Sequence, residues 1–213
     1  MRTLAPMNER SIPMTWLYSA LLTATTAIAA HGASWDVEGA IGLSLFSPNV
    51  ENIPRGSSDT AVDGLGEVAV GVRVSDRVRV HGTLGYAFAS ESRWSSESAG
   101  GEADVPTPSL ASFFLGVETP LRLGRIVPFA GIGSGVVRFG EIDEEIRFEW
   151  SSHTETNRFV VPGRTDAALF FDVGLTAPQG PVSAVIRYRL LSVFSGDQVN
   201  TIDRVTLAAR IAL

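Results

Sequence analysis

Three groups of side chains in this 213-residue chain could do chemistry. His81 and Thr83 stand two apart, so in an extended segment both point to one side. An imidazole beside a hydroxyl is the beginning of a nucleophilic relay, which also needs an acid to orient the base. No spacing in the sequence marks that acid. The second group is a set of charges on alternate positions of otherwise apolar segments: Asp36, Glu38, Glu67, Arg73, Arg79, Glu118, Asp172, Arg187, Arg189, Arg204 and Arg210. The third is an acidic run, Glu141, Asp143, Glu144, Glu145 and Glu149. It lacks the spacing of a calcium loop and reads as a solvated loop, with divalent cations as its alternative ligand.

Composition removes other chemistries. Without cysteine there is no disulfide, thiol nucleophile, thiolate metal site or lipidated cysteine. Three histidines, at positions 31, 81 and 153, do not make a His-based metal cluster. A net charge of -6 with no basic patch argues against nucleic acid. No catalytic, cofactor or metal site is expected from these residues.

The elements that must position the charges are strands. Residues 1–30 read as a secretory signal peptide: a start carrying Arg2 and Arg10, an uncharged apolar centre, and small residues at Ala27, Ala29 and Ala30. Residues 31–213 then form the barrel domain. Glycine, at 21 residues, favours turns and strands over a helical bundle. Eight alternating segments follow, at 34–46, 61–74, 77–89, 109–119, 126–140, 165–175, 181–194 and 203–213. In the first, Val37, Ile41, Leu43 and Leu45 oppose Asp36, Glu38, Ala40 and Ser44. The 126–140 segment is Gly-rich and gives no clear facing. Connections alternate long and short along the chain, from a long Ser47–Thr60 to a moderate SGDQVNTI before the last segment. An up-and-down sheet with that alternation is flush at one end and ragged at the other. One face of every clear segment is Val, Leu, Ile and Phe. The other holds Gly, Ala, Ser and charges at mid-segment, which suits the crowded inside of a narrow barrel more than its surface. The last segment runs to Leu213 on its apolar face, as closure against the first strand requires.

These features resemble the small OmpA/OmpX-type outer-membrane β-barrels. The resemblance covers about Ala33 to Leu213, and it rests on architecture. It implies an all-β, eight-stranded, antiparallel, up-and-down transmembrane β-barrel in the outer membrane of a Gram-negative-type cell, preceded by the cleavable signal. It implies a non-enzymatic, monomeric protein with a structural or surface-interaction role. Its partners would be outer-membrane lipid, lipopolysaccharide, and the assembly machinery that reads the last strand. The chain ends in Leu213 where relatives usually end in an aromatic residue. The charges, with His81, are then expected to form a salt-bridged plug, with Asp36 or Glu38 facing Arg204 or Arg210. The competing readings are a narrow OmpW-like conduit for small or hydrophobic solutes, a lipid A-modifying enzyme, and a soluble lipocalin-like binder with the faces inverted. The third long connection, around Ile146, Phe148 and Trp150, is expected to project as a hairpin with an edge open to another strand.

Overall fold

The structure is a computed structural model, and it describes residues 34–46, 57–58, 60–96, 100–121, 125–196 and 198–213. The signal-peptide segment lies outside the described residues. Thirteen strands are present among the described residues, and eight of them close into an antiparallel barrel. These are β1 (Ser34–Phe46), β3 (Ala61–Ser75), β4 (Val78–Ala87), β7 (Leu110–Pro120), β8 (Val127–Phe139), β11 (Arg164–Gln179), β12 (Val182–Ser195) and β13 (Gln198–Ala212). Each pairs with its neighbours in chain order, and β1 closes on β13.

Register fixes the shape of the barrel. Following paired residues once around the wall, from Ser44 through Arg204, Arg189, Asp172, Gly131, Glu118, Arg79 and Arg73, returns to β1 at Ser34. The stagger is therefore ten residues. With ordinary strand rise and spacing, a stagger of that size in eight strands means a tilt of about 41°. Such a barrel has room inside only for side chains.

The wall is apolar outside. Ile41, Val68, Leu84, Ile132, Leu169 and Leu207 are each more than half exposed. The inside carries Asp36, Glu38, Glu67, Arg79, Glu118, Asp172 and their partners, all buried. Alternation along each strand sorts the two sets.

The Gly-rich strand β8 has a definite facing that its sequence conceals. Phe129, Gly131, Val137 and Phe139 point in; Ala130, Ile132, Val136 and Arg138 point out. Its glycines make room for aromatic rings crossing the lumen. A Cβ on Gly133 would stand 2.4 Å from Phe170, and one on Gly135 would stand 2.6 Å from Phe114.

The remaining five strands are β2 (Ser57–Ser58), β5 (Glu91–Ser96), β6 (Gly101–Pro106), β9 (Ile142–Trp150) and β10 (Thr154–Val161). They form a second sheet in the order β10-β9-β6-β5-β2. That order repeats β11-β8-β7-β4-β3 in the barrel, so the sheet carries five barrel strands past a break at the rim. The connections at 88–109 and 140–163 are thus mostly strand. The last connection differs from the expected moderate length: Ser195 pairs with Gln198 across a two-residue turn, where Gly196 takes a φ of 59°. Strand β13 begins at Gln198, earlier than the Asp203 read from the sequence, because Val199, Thr201 and Asp203 already alternate with Asn200 and Ile202. Gly180, with φ 68°, makes the turn at the opposite end.

Candidate functional site

The lumen is filled in two layers. The layer toward the short-turn end is ionic. Glu118 sits at its hub, accepting from Arg79 Nη1 at 2.8 Å, Arg187 Nη2 at 2.7 Å and Arg210 Nη2 at 3.1 Å. Glu38 accepts from Arg187 Nη1 at 2.6 Å and Arg210 Nε at 2.8 Å. Asp36 takes the other side of the Arg79 guanidinium, with Nε at 2.9 Å. Higher in the barrel, Arg189 grips both oxygens of Asp172, at 2.7 and 3.0 Å. Arg204 donates to Glu67 at 3.1 Å and to the Ser112 hydroxyl at 3.0 Å. Five carboxylates thus face five guanidiniums, and the balance of charge makes so many buried ions tolerable.

Phenyl rings join this layer to the next. Arg189 lies 4.5 Å from the Phe170 centroid and Arg204 lies 5.8 Å from that of Phe114. Above them an apolar cluster closes the outer half of the lumen: Phe46, Leu65, Leu110, Phe114, Val137, Phe139, Phe170, Leu191, Val193 and Ile202. Leu110 and Phe114, apolar residues on the inward side of β7, belong to this apolar layer.

Two sequence expectations are refined by position. Arg73 has inward parity but lies next to the β3–β4 turn, where the register slips between Arg73 and Ser75. It is exposed and lines a cavity of about 360 Å³ at the short-turn mouth, outside the closed network. Arg210 does face Glu38, its register partner, whereas Arg204 meets Glu67 and Asp36 meets Arg79. Which ion meets which depends on the ten-residue stagger, and that is not visible in one strand.

His81 is buried, and neither of its ring nitrogens has a hydrogen-bond partner. Its Nε2 is 4.0 Å from Glu118 Oε1, and its ring meets Phe170 edge-on. Thr83 is equally enclosed, and its hydroxyl does not bond to His81. The pair therefore lacks the linked hydroxyl–imidazole geometry of a nucleophilic relay. His81, Glu118 and Asp172 hold ligand-type atoms within 4.8 Å of one another, the one such trio among the described residues. Both carboxylates are already occupied by arginines, however, and a dication would add charge to a balanced network. The donor set fits a brace better than a metal centre.

Outside the barrel, the second sheet builds its own core. Trp94, Val105, Ile142, Ile146, Phe148 and Phe159 are buried together, with Trp150 packed against them. Trp94 meets Phe148 and Trp150 edge-on at 5.5 and 5.9 Å. The opposite face is charged: Arg158 makes two 2.7 Å bonds to Asp143, and Arg93 pairs with Glu102. The bidentate Arg158 guanidinium holds the Asp143 carboxyl below its usual range. Residues 88–109 and 140–163 together contain ten acids and three arginines, so the sheet is strongly acidic. Strand β10 pairs with β9 on one side and forms an edge of the sheet. The rim joint is tied by Asp63, which is buried and accepts from the Ser90 and Thr107 hydroxyls.

The architecture has solved counterparts. Neisserial surface protein A superposes with a TM-score of 0.52 at 13% identity, over 84% of this chain and 98% of that one. The chain has the fold of the small eight-stranded outer-membrane β-barrels. Ail of Yersinia pestis, solved with the heparin analogue sucrose octasulfate, gives a TM-score of 0.47 at 12% identity over 85% of this chain and 99% of that one. The outer-membrane enzyme PagL gives 0.39 at 16% identity over 83% and 98%. No protein-family model and no curated protein matches the sequence. Here the apolar residues point out of the barrel and the charges are enclosed, which excludes the inverted, lipocalin-like arrangement. The outer sheet is what sequence reading underestimated. Its signal was present in the alternation of Gly101, Ala103 and Val105 and of Ser92 and Trp94, embedded in Ser- and Glu-rich stretches.

Proposed function

We propose that this protein is a non-conducting, non-enzymatic barrel of the outer membrane of a Gram-negative-type cell, whose working surface is the acidic outer sheet. One observation carries the reading. The lumen is occupied along its height by paired ions and then by packed rings, while the chain extends five strands beyond the rim around a separate aromatic core. A conduit would need a continuous polar path, and the apolar layer at Phe114, Phe170 and Leu191 interrupts it. A preformed sheet with an open edge at β10 offers main-chain donors and acceptors to an extended segment of a partner. The acidic face favours a partner carrying basic side chains.

Planar-bilayer recording on the purified chain tests the reading. The expected trace is flat at the baseline over the usual voltage range. Steady open steps would refute the plug and favour the narrow conduit. A lipid A mass spectrum from expressing cells should match that of cells lacking the protein, and a lost or added acyl chain would refute the non-enzymatic role.

A further inference from the structure

The cavity at the short-turn mouth holds a charge that the plug does not use. The ionic layer behind it is balanced, with five guanidiniums against five carboxylates. Arg73 is a sixth guanidinium of inward parity, and it makes no ion pair among the described residues. Its register partner across β3 and β4 is Arg79. Like charges directly opposite one another on one face of a sheet repel. Arg79 is neutralised by Asp36 and Glu118, and Arg73 is left as the excess positive charge of the mouth.

Arg210 lines the same cavity. It gives Nε to Glu38 and Nη2 to Glu118, which leaves the hydrogens of its Nη1 uncommitted. Ser183, its register partner on β12, adds a hydroxyl to the lining. The lining holds two acids. Glu118 already accepts from three arginines, and Asp76 sits at the lip in the β3–β4 turn. The other arc of the ring, from β7 to the β11–β12 turn, is largely apolar, with Val127, Phe129 and three prolines.

We propose that this mouth binds a small phosphate ester, with its phosphoryl oxygens on Arg73, on Arg210 Nη1 and on the Ser183 hydroxyl, and with its organic part against Phe129 and the prolines. A tetrahedral dianion offers oxygens in several directions and suits donors that converge from separate strands, whereas a planar carboxylate is satisfied by one guanidinium fork. A volume of about 360 Å³ is at the small end of ligand pockets and limits the organic part to a few carbons. In this fold the short turns face the periplasm. The phosphate can therefore come from a soluble ester or from the headgroup of a phospholipid in the adjoining leaflet. The site lies at the opposite end of the barrel from the acidic sheet, and it stands or falls independently of what that sheet binds.

Isothermal titration of the full chain, folded in a phosphate-free non-ionic detergent, tests the site with glycerol 3-phosphate and with inorganic phosphate. Glycerol 3-phosphate should bind saturably and more tightly than inorganic phosphate, and acetate and glycerol should give no saturable heat. Arg73→Gln should weaken binding roughly tenfold or more. Arg77→Gln removes an exposed charge from the same turn but outside the cavity, and it should leave binding unchanged. A heat-shifted gel band shows that each variant is a folded barrel. Titration in lipid nanodiscs, open to ligand on both faces, identifies the source. If phosphatidylglycerol abolishes the binding of glycerol 3-phosphate and phosphatidylcholine does not, the occupant is a lipid headgroup; binding equal in the two lipids marks a soluble ester. Absence of saturable heat, inorganic phosphate bound as tightly as the ester, binding that survives Arg73→Gln, or an equal loss in Arg77→Gln would each overturn the proposal.

Discussion

Replacing Glu118 by Gln removes one charge from the centre of the lumen while keeping volume and one carbonyl acceptor. Glu118 is 1% exposed and takes hydrogen bonds from three arginines. After the change, five guanidiniums share four carboxylates, and Arg79, Arg187 and Arg210 must divide Asp36 and Glu38 between them. Removing one partner of a buried ion pair typically costs about 3–5 kcal/mol, because the remaining charge stays buried. Three arginines share the loss here, and Gln retains one bond, so the expected cost is at the lower end, about 3 kcal/mol. Urea unfolding of the barrel in lipid vesicles, followed by tryptophan fluorescence, reads this as a lower midpoint at unchanged slope. The exposed pair Arg93–Glu102, with side chains 64% and 58% exposed, supplies the contrast: Glu102→Gln should cost less than about 1 kcal/mol. Adding Arg187→Met to Glu118→Gln restores charge balance and should recover part of the loss. If Glu118→Gln unfolds within error of the parent, the ionic layer does not brace the barrel and the reasoning fails.

Truncating Phe170 to Ala should cost about 3–5 kcal/mol in the same assay, since it removes the ring that joins both layers. Gly116→Ala should destabilise by about 1–3 kcal/mol, because its Cβ would stand 2.3 Å from the Phe170 ring; Phe170→Leu in the same chain should relieve it. Replacing residues 142–161 with a short turn should leave a barrel that still shifts on unboiled gels, because the aromatic core of the sheet shares no residue with that of the lumen. The Asp143 carboxyl, titrated by NMR, should ionise below its ordinary value, and Arg158→Gln should move it up. Its pairing therefore supports the sheet above the normal carboxylate range and is lost as pH falls through the lowered folded value.

The barrel was legible because each strand must satisfy two solvents at once. In β1, Asp36, Glu38 and Ser44 face in while Ile41, Leu43 and Leu45 face out, and a one-residue slip would reverse every one of them. β8 was not legible, because glycines at 131, 133 and 135 erase the inward half of the pattern. Their reason lies on other strands, in the rings of Phe170 and Phe114 at Gly133 and Gly135 and in the side chains of Glu118 and Asp172 at Gly131. Ion pairing was legible as balance and in one contact, Glu38 with Arg210 across the closing strands. Arg204 and Arg210 share one face of β13, yet they answer to Glu67 and Glu38 at different heights. Of the outer sheet, the β9–β10 hairpin was legible from Ile146, Phe148 and Trp150, whereas β5 and β6 were hidden because each buries few residues among serines and acids, and the aromatic core assembles only across two connections.

Five strands rise past the rim, while β12 and β13 end in a tight turn at its level. The rim of the barrel therefore has a high back and a low sill, and its properties change with direction around the barrel axis. Anything that approaches the barrel from the sill side meets β12 and β13 before it meets any part of the acidic wall. Anything arriving from the other side meets the wall first.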